Sequence, residues 1–410
     1  MPTDPLSMQI EINQLLFISH SGRTYNLNSD FLDFRITESI MSPFIRGHIA
    51  INDLNAITEI GEATIGGYLQ IKFRTNAEFP FIEKTMWVYK VGDDSELEGA
   101  RQYKRRKIVL FFCSFGMRAE LRERYSKYYE NMLPHEIVQD VCTNLLEIGS
   151  LTTVDNTQDR LTIVTPYAWT PLGIIDYCKR KSFSTSNQDT GYVFFENNSG
   201  FHYVSLSELL KQSYKYELSM EPPDNQFRQM YFGYVSKIVS YKTIRHLDMI
   251  ESWMSHRFGG SIHTVKDDDI RFTEETANLS GYLPTTVNLG TKTTTVAQAD
   301  NEKALHISHY GTFPEYKFNQ YMRYNLMEDN HLSVICPGDS RKLAGDIVKI
   351  RYPSKHETQL TNQQLDGNWI IHTLTHHFNQ KRHYRNEMIL AKDALKQYPG
   401  PTLDTSKNNP

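Results

Sequence analysis

A cluster of histidines near the C-terminal end comes closest to a chemical site in this sequence. It contains His372, His376, His377 and His383. On a helix, His372 and His376 would share a face and could hold a zinc ion. The run from Trp369 alternates as a strand, however, which places His372 and His376 on one face and His377 on the other. No glutamate lies between them, so we expect solvated histidines on a strand and no metal site.

Three other motifs begin like chemical sites but lack residues that the chemistry requires. His135-Glu136 starts as a zinc-protease helix does, but Gln139 stands where the second ligand would be. The acidic run at Asp267 lacks the glycine of a calcium loop. Gly61 to Gly66 spaces its glycines as a phosphate loop does, without the following lysine. No Gly-x-Ser-x-Gly elbow occurs.

The 48 carboxylates leave room for a glycosidase pair, but no pattern singles out two of them. We therefore predict no catalytic residue, no cofactor and no metal, and a protein that is not an enzyme. The basic run 101–107 could contact phosphates, and Tyr103 within it could stack on a base. An acidic segment from Asp93 precedes the run, which favours a solvated hairpin loop. A net charge of −4 also argues against a nucleic-acid binder.

Cysteine usage and the N-terminus indicate a reducing compartment. The cysteines, at 113, 142, 178 and 336, form no Cys-x-x-Cys pair, and three lie inside apolar patterns. We expect them to be buried and reduced. The N-terminus has no basic and apolar signal, and the longest apolar run, Ile108 to Cys113, is far short of a membrane span. These features predict a soluble protein made in the cytoplasm.

The elements that would position any site are mainly strands. An aromatic content of 12% suits pleated surfaces. Residues 8–116 show about seven short alternating runs between turn-forming clusters, typical of a sandwich or small barrel. The candidates are Ile10 and Ile12, Leu15 to Ser19, Phe34 to Thr37, Gly47 to Asn52, Leu69 to Phe73, Trp87 to Val91 and Ile108 to Phe112.

The next hundred residues change to an α+β pattern. A helix is predicted from Leu133-Pro134, with an apolar face that includes Ile137 and Ile148, and Gly149 ends it. A second helix begins at Thr170, a plausible cap. Residues 192–205 then read as a β-hairpin with a turn at 197–200.

Towards the C-terminus the pattern becomes β-like again. Residues 225–245 and 330–393 carry strand patterns. Between them we predict a short helix with Leu247, Ile250 and Met254 on its face, and an extended polar arm over 279–301. The last residues, from Pro399 to Pro410, should form a flexible tail or an arm that only a partner orders.

A faint pattern appears twice along the chain. Gly66 to Phe73 aligns without a gap with Gly345 to Tyr352. Each copy continues with a tryptophan-led apolar run and then with a tyrosine, basic residues and another apolar run. The matched positions are Gly66, Phe73, Trp87 and Tyr103 in one copy and Gly345, Tyr352, Trp369 and Tyr384 in the other. Two copies of one β-domain explain this pattern, and so does the chance likeness of any two strand–turn–strand segments.

Three segments resemble the baseplate hub proteins of contractile phage tails, a family related to the N-terminal region of type VI secretion spikes. Ile36 to Asp53 looks like part of the family's first tube domain, with its Ser-Pro turn and closing Asn-Asp. Tyr192 to Leu209 is similar to the hairpin of its second domain. Asp366 to Phe378, followed by Tyr384 onwards, looks like the closing strands of its second tube domain. The three segments occur in the family's order.

The resemblance implies a mainly β fold with an α+β insertion, in which two similar antiparallel barrel or sandwich tube domains are joined to accessory domains. It places the first tube domain at 1–116, an α+β accessory domain at 117–222, and a discontinuous second tube domain at 223–246 and 330–395. An inserted accessory segment would cover 247–329, and a flexible arm 396–410.

The resemblance also implies a function. Three chains would form a pseudo-hexameric ring in the virion's tail baseplate, joining the sixfold tail tube to the threefold central spike. The implied partners are the tube, spike and tape-measure proteins and the surrounding baseplate proteins, and DNA would pass through the lumen without specific binding. Two alternatives stay open: a tail-associated peptidoglycan hydrolase, suggested by the histidines and carboxylates, and a receptor-binding β-protein, suggested by 24 Tyr and 21 Phe.

Overall fold

We describe the fold from a computed structural model of the chain. The residues it describes are 8–53, 57, 67–75, 77–93, 107–122, 124–165, 169–187, 189–219, 236–245, 259–266, 271–278, 305–310, 324, 327, 330–351 and 365–392. Most of them lie in strands, which confirms the predicted mainly β fold. The predicted helix at 247–254, the arm at 279–301 and the C-terminal arm lie outside these residues.

The N-terminal strands form an antiparallel run in the order β4-β5-β8-β7-β6-β2, with β3 beside β2. Alternate residues of β4, β6 and β8 are buried, as the period-two pattern requires. The strands are β1 (Met8–Gln9), β2 (Glu11–Ile18), β3 (Thr24–Asn26), β4 (Phe31–Ser39), β5 (Arg46–Asn52), β6 (Tyr68–Arg74), β7 (Ile82–Asp93) and β8 (Lys107–Cys113).

The C-terminal strands form a second run with the same order of connections, β15-β19-β22-β21-β20-β14. Here β14 is parallel to β20, whereas β2 is antiparallel to β6. The strands are β14 (Tyr216–Ser219), β15 (Ser240–Arg245), β19 (His331–Pro337), β20 (Ile347–Arg351), β21 (Gly367–Asn379) and β22 (His383–Ala391). Below, β2 and β4–β8 are the first repeat, and β14, β15 and β19–β22 the second repeat.

The two repeats join into one sheet because β21 of the second repeat pairs antiparallel with β4 of the first. This pairing, Thr373–Asn379 against Asp33–Ser39, is called the seam. Strand β1 also crosses between the repeats, since it pairs with the start of β22.

The α+β unit lies between the repeats in sequence. The two helices and the hairpin that the sequence predicts in this unit are present. Thr170 Oγ1 accepts a hydrogen bond from the Gly173 amide at 3.0 Å, which caps α3. The first predicted helix differs at its end, because the α-helix stops at Asp140 and Val141–Leu145 forms a π-helical turn. The elements are α1 (Gly116–Arg122), β9 (Tyr128–Met132), α2 (Pro134–Asp140), β10 (Thr153–Val154), β11 (Leu161–Val164), α3 (Pro171–Lys181), β12 (Tyr192–Asn197), β13 (Gly200–Ser205) and α4 (Leu206–Leu210).

A further sheet of three strands has the order β17-β16-β18, with β16 (Gly259–Lys266), β17 (Arg271–Asn278) and β18 (Leu305–Tyr310). All four cysteines are buried and free, as the sequence predicts. Among the described residues, no helix has the length and apolar character of a membrane span.

Candidate functional site: the seam between the repeats

Five of the eight matched positions fall on described residues. Phe73 and Tyr384 are fully buried, and their ring centroids lie 6.0 Å apart beside the seam. Trp369 is buried, and its indole N–H donates to the Leu365 carbonyl at 3.0 Å. Gly345 has φ +92°, a conformation that favours glycine, and Trp87 is half-buried on β7. Gly66, Tyr103 and Tyr352 lie outside the described residues.

The two repeats share a detail of strand register beyond the order of their strands. In the first repeat the β7–β8 pairing shifts by one residue between Val88 and Lys90. In the second repeat the β21–β22 pairing shifts by one residue between Ile371 and Thr373. Counted from the shift, each residue pair of the first repeat has a counterpart in the second repeat, both before and after the shift. Tyr89 and His372 are therefore the bulged residues at equivalent positions of the two repeats. Because bulges are specific features of a sheet, a shared one supports duplication.

The register also shows where the sequence alignment is displaced. Leu69 lies opposite Met86, and its matched residue Val348 lies opposite Trp369. Trp369 therefore corresponds to Met86, and Trp87 corresponds to Ile370. The two tryptophans are one residue out of step and face opposite sides of the sheet.

The core side of the seam is an aromatic cluster. Phe34 of β4 stacks on Phe378 of β21 with ring centroids 4.4 Å apart. Phe73 lies 5.1 Å from Phe378, and Phe31 meets the same ring edge-on at 5.7 Å. Aromatic pairs of this kind add about 0.5–1.5 kcal/mol each beyond the area that they bury. The seam is therefore held by side-chain packing as well as by its backbone hydrogen bonds.

The histidines of β21 are buried at or beside the seam, so the expectation that they are solvated is wrong. His372, His376 and His377 are exposed by 8%, 1% and 7%. His376 Nδ1 lies 2.6 Å from the Tyr384 hydroxyl and 3.0 Å from Asn386 Nδ2. Burial lowers the pKa of His376 to about 3, so its ring is neutral at pH 7.

His377 lies on the opposite face, between two carboxylates. Its Nε2 is 2.5 Å from Asp33 Oδ1 and its Nδ1 is 2.9 Å from Glu387 Oε1. Arg385 donates to the same Glu387 oxygen at 2.9 Å. Hydrogen bonding to His377, followed by the charge of Arg385, lowers the pKa of Glu387 to about 2. The group ties β4, β21 and β22 together.

Two carboxylates that sequence reasoning could not single out meet near the α+β unit. Glu196 of β12 accepts from the Ile45 amide at 3.2 Å, from Lys84 Nζ at 3.2 Å and from the Ser114 hydroxyl. Glu38 of β4 accepts from the Ala344 amide at 3.1 Å. Burial raises the pKa of Glu38 to about 8. Both side chains are less than 5% exposed. They therefore connect elements inside the protein and do not form a site that a substrate can reach.

The face opposite the aromatic cluster forms an open trough of about 910 Å³ in the first repeat. Its charged lining residues are Asp33, Arg35, Lys90 and Lys107. Burial, followed by the nearby Arg35, lowers the pKa of His48 in the same trough. The face continues across the seam, where the hydroxyls of Thr37 and Thr375 are 2.9 Å apart and Thr373 donates to Ser39 at 3.1 Å.

The titratable groups of the seam are hydrogen-bonded to one another. Among the described residues, no three His, Cys, Asp or Glu side chains are placed to hold a metal ion. The three histidines of β21 are engaged in hydrogen bonds within the sheet. The feature that sequence reasoning missed is the seam itself, since its partners are more than 330 residues apart.

Comparisons with known proteins concern the fold. No family model and no curated protein matches the sequence. Several solved structures, among them three tail proteins, are similar over almost the whole chain. The tail protein of Neisseria meningitidis MC58 has a TM-score of 0.56 at 9% identity, covering 93% of this chain and 96% of its own. The 43 kDa tail protein of prophage MuSo2 from Shewanella oneidensis has a TM-score of 0.56 at 11% identity, covering 93% and 99%.

The third is the prophage tail protein gp18 from Listeria monocytogenes EGD-e, with a TM-score of 0.50 at 8% identity, covering 92% of this chain and 94% of its own. At these identities the likeness shows the fold. The prediction that the chain has the fold of phage tail proteins is confirmed.

Proposed function

We propose that this chain is the structural hub of a phage tail baseplate. Three copies form a ring of six repeats that joins the sixfold tail tube to the threefold central spike, and the tape measure and DNA pass through its lumen. One observation carries the proposal: the chain contains two repeats with the same strand order and the same bulge, within a fold shared with tail proteins over more than nine-tenths of its length.

The repeat explains how one protein can meet two symmetries. Six similar repeats offer six similar surfaces to a sixfold tube. The two repeats of one chain differ in sequence, and they differ in one strand direction, because β2 is antiparallel to β6 whereas β14 is parallel to β20. The same ring therefore also offers three distinct surfaces to a threefold spike. In this proposal the first repeat belongs to the first tube domain, the α+β unit is the accessory domain, and the second repeat belongs to the second tube domain. The other proposed partners are the surrounding baseplate proteins.

A non-enzymatic role fits the chemistry of the interior. The buried carboxylates and histidines are paired with groups of the same chain, and they stabilise strand pairings rather than line a cleft. No observation on the described residues specifically supports the hydrolase alternative or the receptor-binding alternative.

The proposal is tested by mass and by position. We expect native mass spectrometry to give three times the chain mass of 47.7 kDa, alone or bound to its spike. In tail particles, a tagged copy should appear on the tail axis at the baseplate. A monomer in the particle, or a tag at the fibre tips, would contradict the proposal.

A further inference from the structure

A fully buried lysine contacts a fully buried cysteine in the second repeat. Cys336 lies near the end of β19, and it is 0% exposed. Lys342 is 1% exposed, and its Nζ donates to Cys336 Sγ at 3.1 Å. Lysine side chains are almost never fully buried unless they are paired. The contact therefore holds an amine nitrogen and a sulfur side by side in the protein interior.

Lys342 belongs to the loop 338–346, which connects β19 to β20 and is called the connecting loop below. This loop reaches the turn between β6 and β7 of the first repeat. The Ser340 amide donates to Thr75 Oγ1 at 2.8 Å, and the Ser340 hydroxyl donates to the Pro80 carbonyl at 3.1 Å. A covalent link from Lys342 to β19 would fix the middle of the connecting loop, and so it would stabilise the junction between the repeats.

The electrostatics of the pair favour the reactive form of the sulfur. Burial raises the pKa of the Cys336 thiol, and the charge and hydrogen bond of Lys342 oppose part of this rise. Lys342 therefore stabilises the thiolate, which is the form that oxidants attack. Cys142 and Cys178 differ, because burial alone raises the pKa of each thiol to about 12. Among the described residues, no lysine donates to either of these two sulfurs.

We propose that Cys336 and Lys342 form a covalent N–O–S link when the chain is exposed to dioxygen. Starting from the thiol and the neutral amine, the S–H bond and one N–H bond break, and one oxygen atom becomes bonded to both sulfur and nitrogen. The second oxygen atom leaves as water with the two hydrogens. Sulfur and nitrogen each lose two electrons, which together are the four that dioxygen accepts.

The geometry of the pair favours an oxygen bridge over a direct bond. Because nitrogen and sulfur lie 3.1 Å apart, a bridging oxygen needs little movement of either side chain. A direct N–S bond would draw the two atoms much closer within a packed core, which resists such a shift. Dioxygen is small and apolar, so it enters when the connecting loop opens locally. In a reducing compartment the pair stays as thiol and amine.

Peptide mapping of the full chain tests the link. Cleavage by trypsin places Cys336 in peptide 324–341, and a modified Lys342 begins peptide 342–349. After incubation of the protein in air-saturated buffer, mass spectrometry should find these two peptides joined, with one oxygen atom gained and two hydrogen atoms lost. Reduction with dithiothreitol before digestion should restore the separate peptides.

Controls within the same chain separate this reaction from general oxidation. The peptides that contain Cys142 and Cys178 should show no link to a lysine. Because a covalent link closes a short loop, the melting temperature of wild type should be about 2–4 °C higher in air than in dithiothreitol. The variant Cys336→Ala should lose both the joined peptides and this difference in melting temperature.

The outcomes of the mapping decide the proposal. A Cys336 that remains a thiol after prolonged exposure to air would overturn it. Oxygen gained by Cys336 without a joined peptide would overturn it too, because that product is a sulfenic or sulfinic acid. Joined peptides that have lost two hydrogens without gaining oxygen would overturn the oxygen bridge. The link needs no ring and no partner, so these outcomes are independent of the proposed function.

Discussion

Phe34 and Phe378 stack across the seam at 4.4 Å although they lie at opposite ends of the chain. Replacing Phe378 by alanine removes a ring that also contacts Phe31 and Phe73. We expect Phe378→Ala to destabilise the chain by about 3–5 kcal/mol, as a fully buried Phe→Ala change does. Urea unfolding measures the change. The control Leu121→Ala, at a side chain 55% exposed, should stay within about 0.5 kcal/mol of wild type. Equal effects would show that the seam packing contributes little.

The ionic group at the seam predicts a loss of stability in acid. The pKa of Glu387 is about 2 in the fold against an ordinary value of 4.5. Because its folded pKa is depressed, Glu387 contributes stability above pH 4.5, and this contribution is lost as the pH falls towards 2. Thermal unfolding should show a smaller acid loss in Glu387→Gln than in wild type. The control Glu217→Gln, in a surface pair with Arg351, should follow wild type.

Glu38 predicts the opposite dependence. Burial raises its folded pKa to about 8, so the folded chain keeps this proton while the unfolded chain releases it above about 4.5. The stability that neutral Glu38 contributes is therefore full below pH 4.5 and declines as the pH rises to 8. We expect Glu38→Gln to gain stability relative to wild type between pH 5 and pH 8. Thermal unfolding across this range measures the gain, and a constant difference would contradict the prediction.

Gly345, one of the positions matched between the two copies of the sequence pattern, lies in the turn that leads into β20. Its φ of +92° is strained for any residue with a Cβ, and a Cβ there would also lie 3.2 Å from the Phe195 ring. Gly345→Ala should cost about 1–2 kcal/mol from backbone strain, and more from crowding of Phe195. Gly22, with φ +87° and open space around it, is the matched control. Equal losses in the two alanine variants would mean that Phe195 gives way without cost.

The exposed edge strand predicts an effect on assembly alone. Ile244 is 49% exposed on β15, so Ile244→Asp should leave the melting temperature of the separated chain unchanged. In the ring proposed above, a contact at this edge would bury the new charge, and the trimer fraction should then fall. Sedimentation velocity measures this fraction. Val164→Asp, on the α+β unit and 68% exposed, should assemble as wild type does.

Local patterns were enough to predict several elements of this chain. Alternation identifies β21 as a strand, Thr170 marks the start of α3, and the hairpin of β12 and β13 forms where its turn residues lie. These features depend on neighbours in the sequence, and so they can be read from it. The alternation does not reveal that both faces of β21 are covered, and for that reason the histidines were wrongly expected in solvent.

Only the tertiary structure could decide which distant groups meet. His377 is buried beside a carboxylate because Asp33, 344 residues away in the sequence, lies 2.5 Å from its Nε2. The shared bulge at Tyr89 and His372, and the one-residue displacement of the tryptophans, depend on strand register. The sequence alone determined a twofold β pattern and the fold that it resembles. The structure decided how the two copies pair, because pairing depends on backbone hydrogen bonds that residue types leave unspecified.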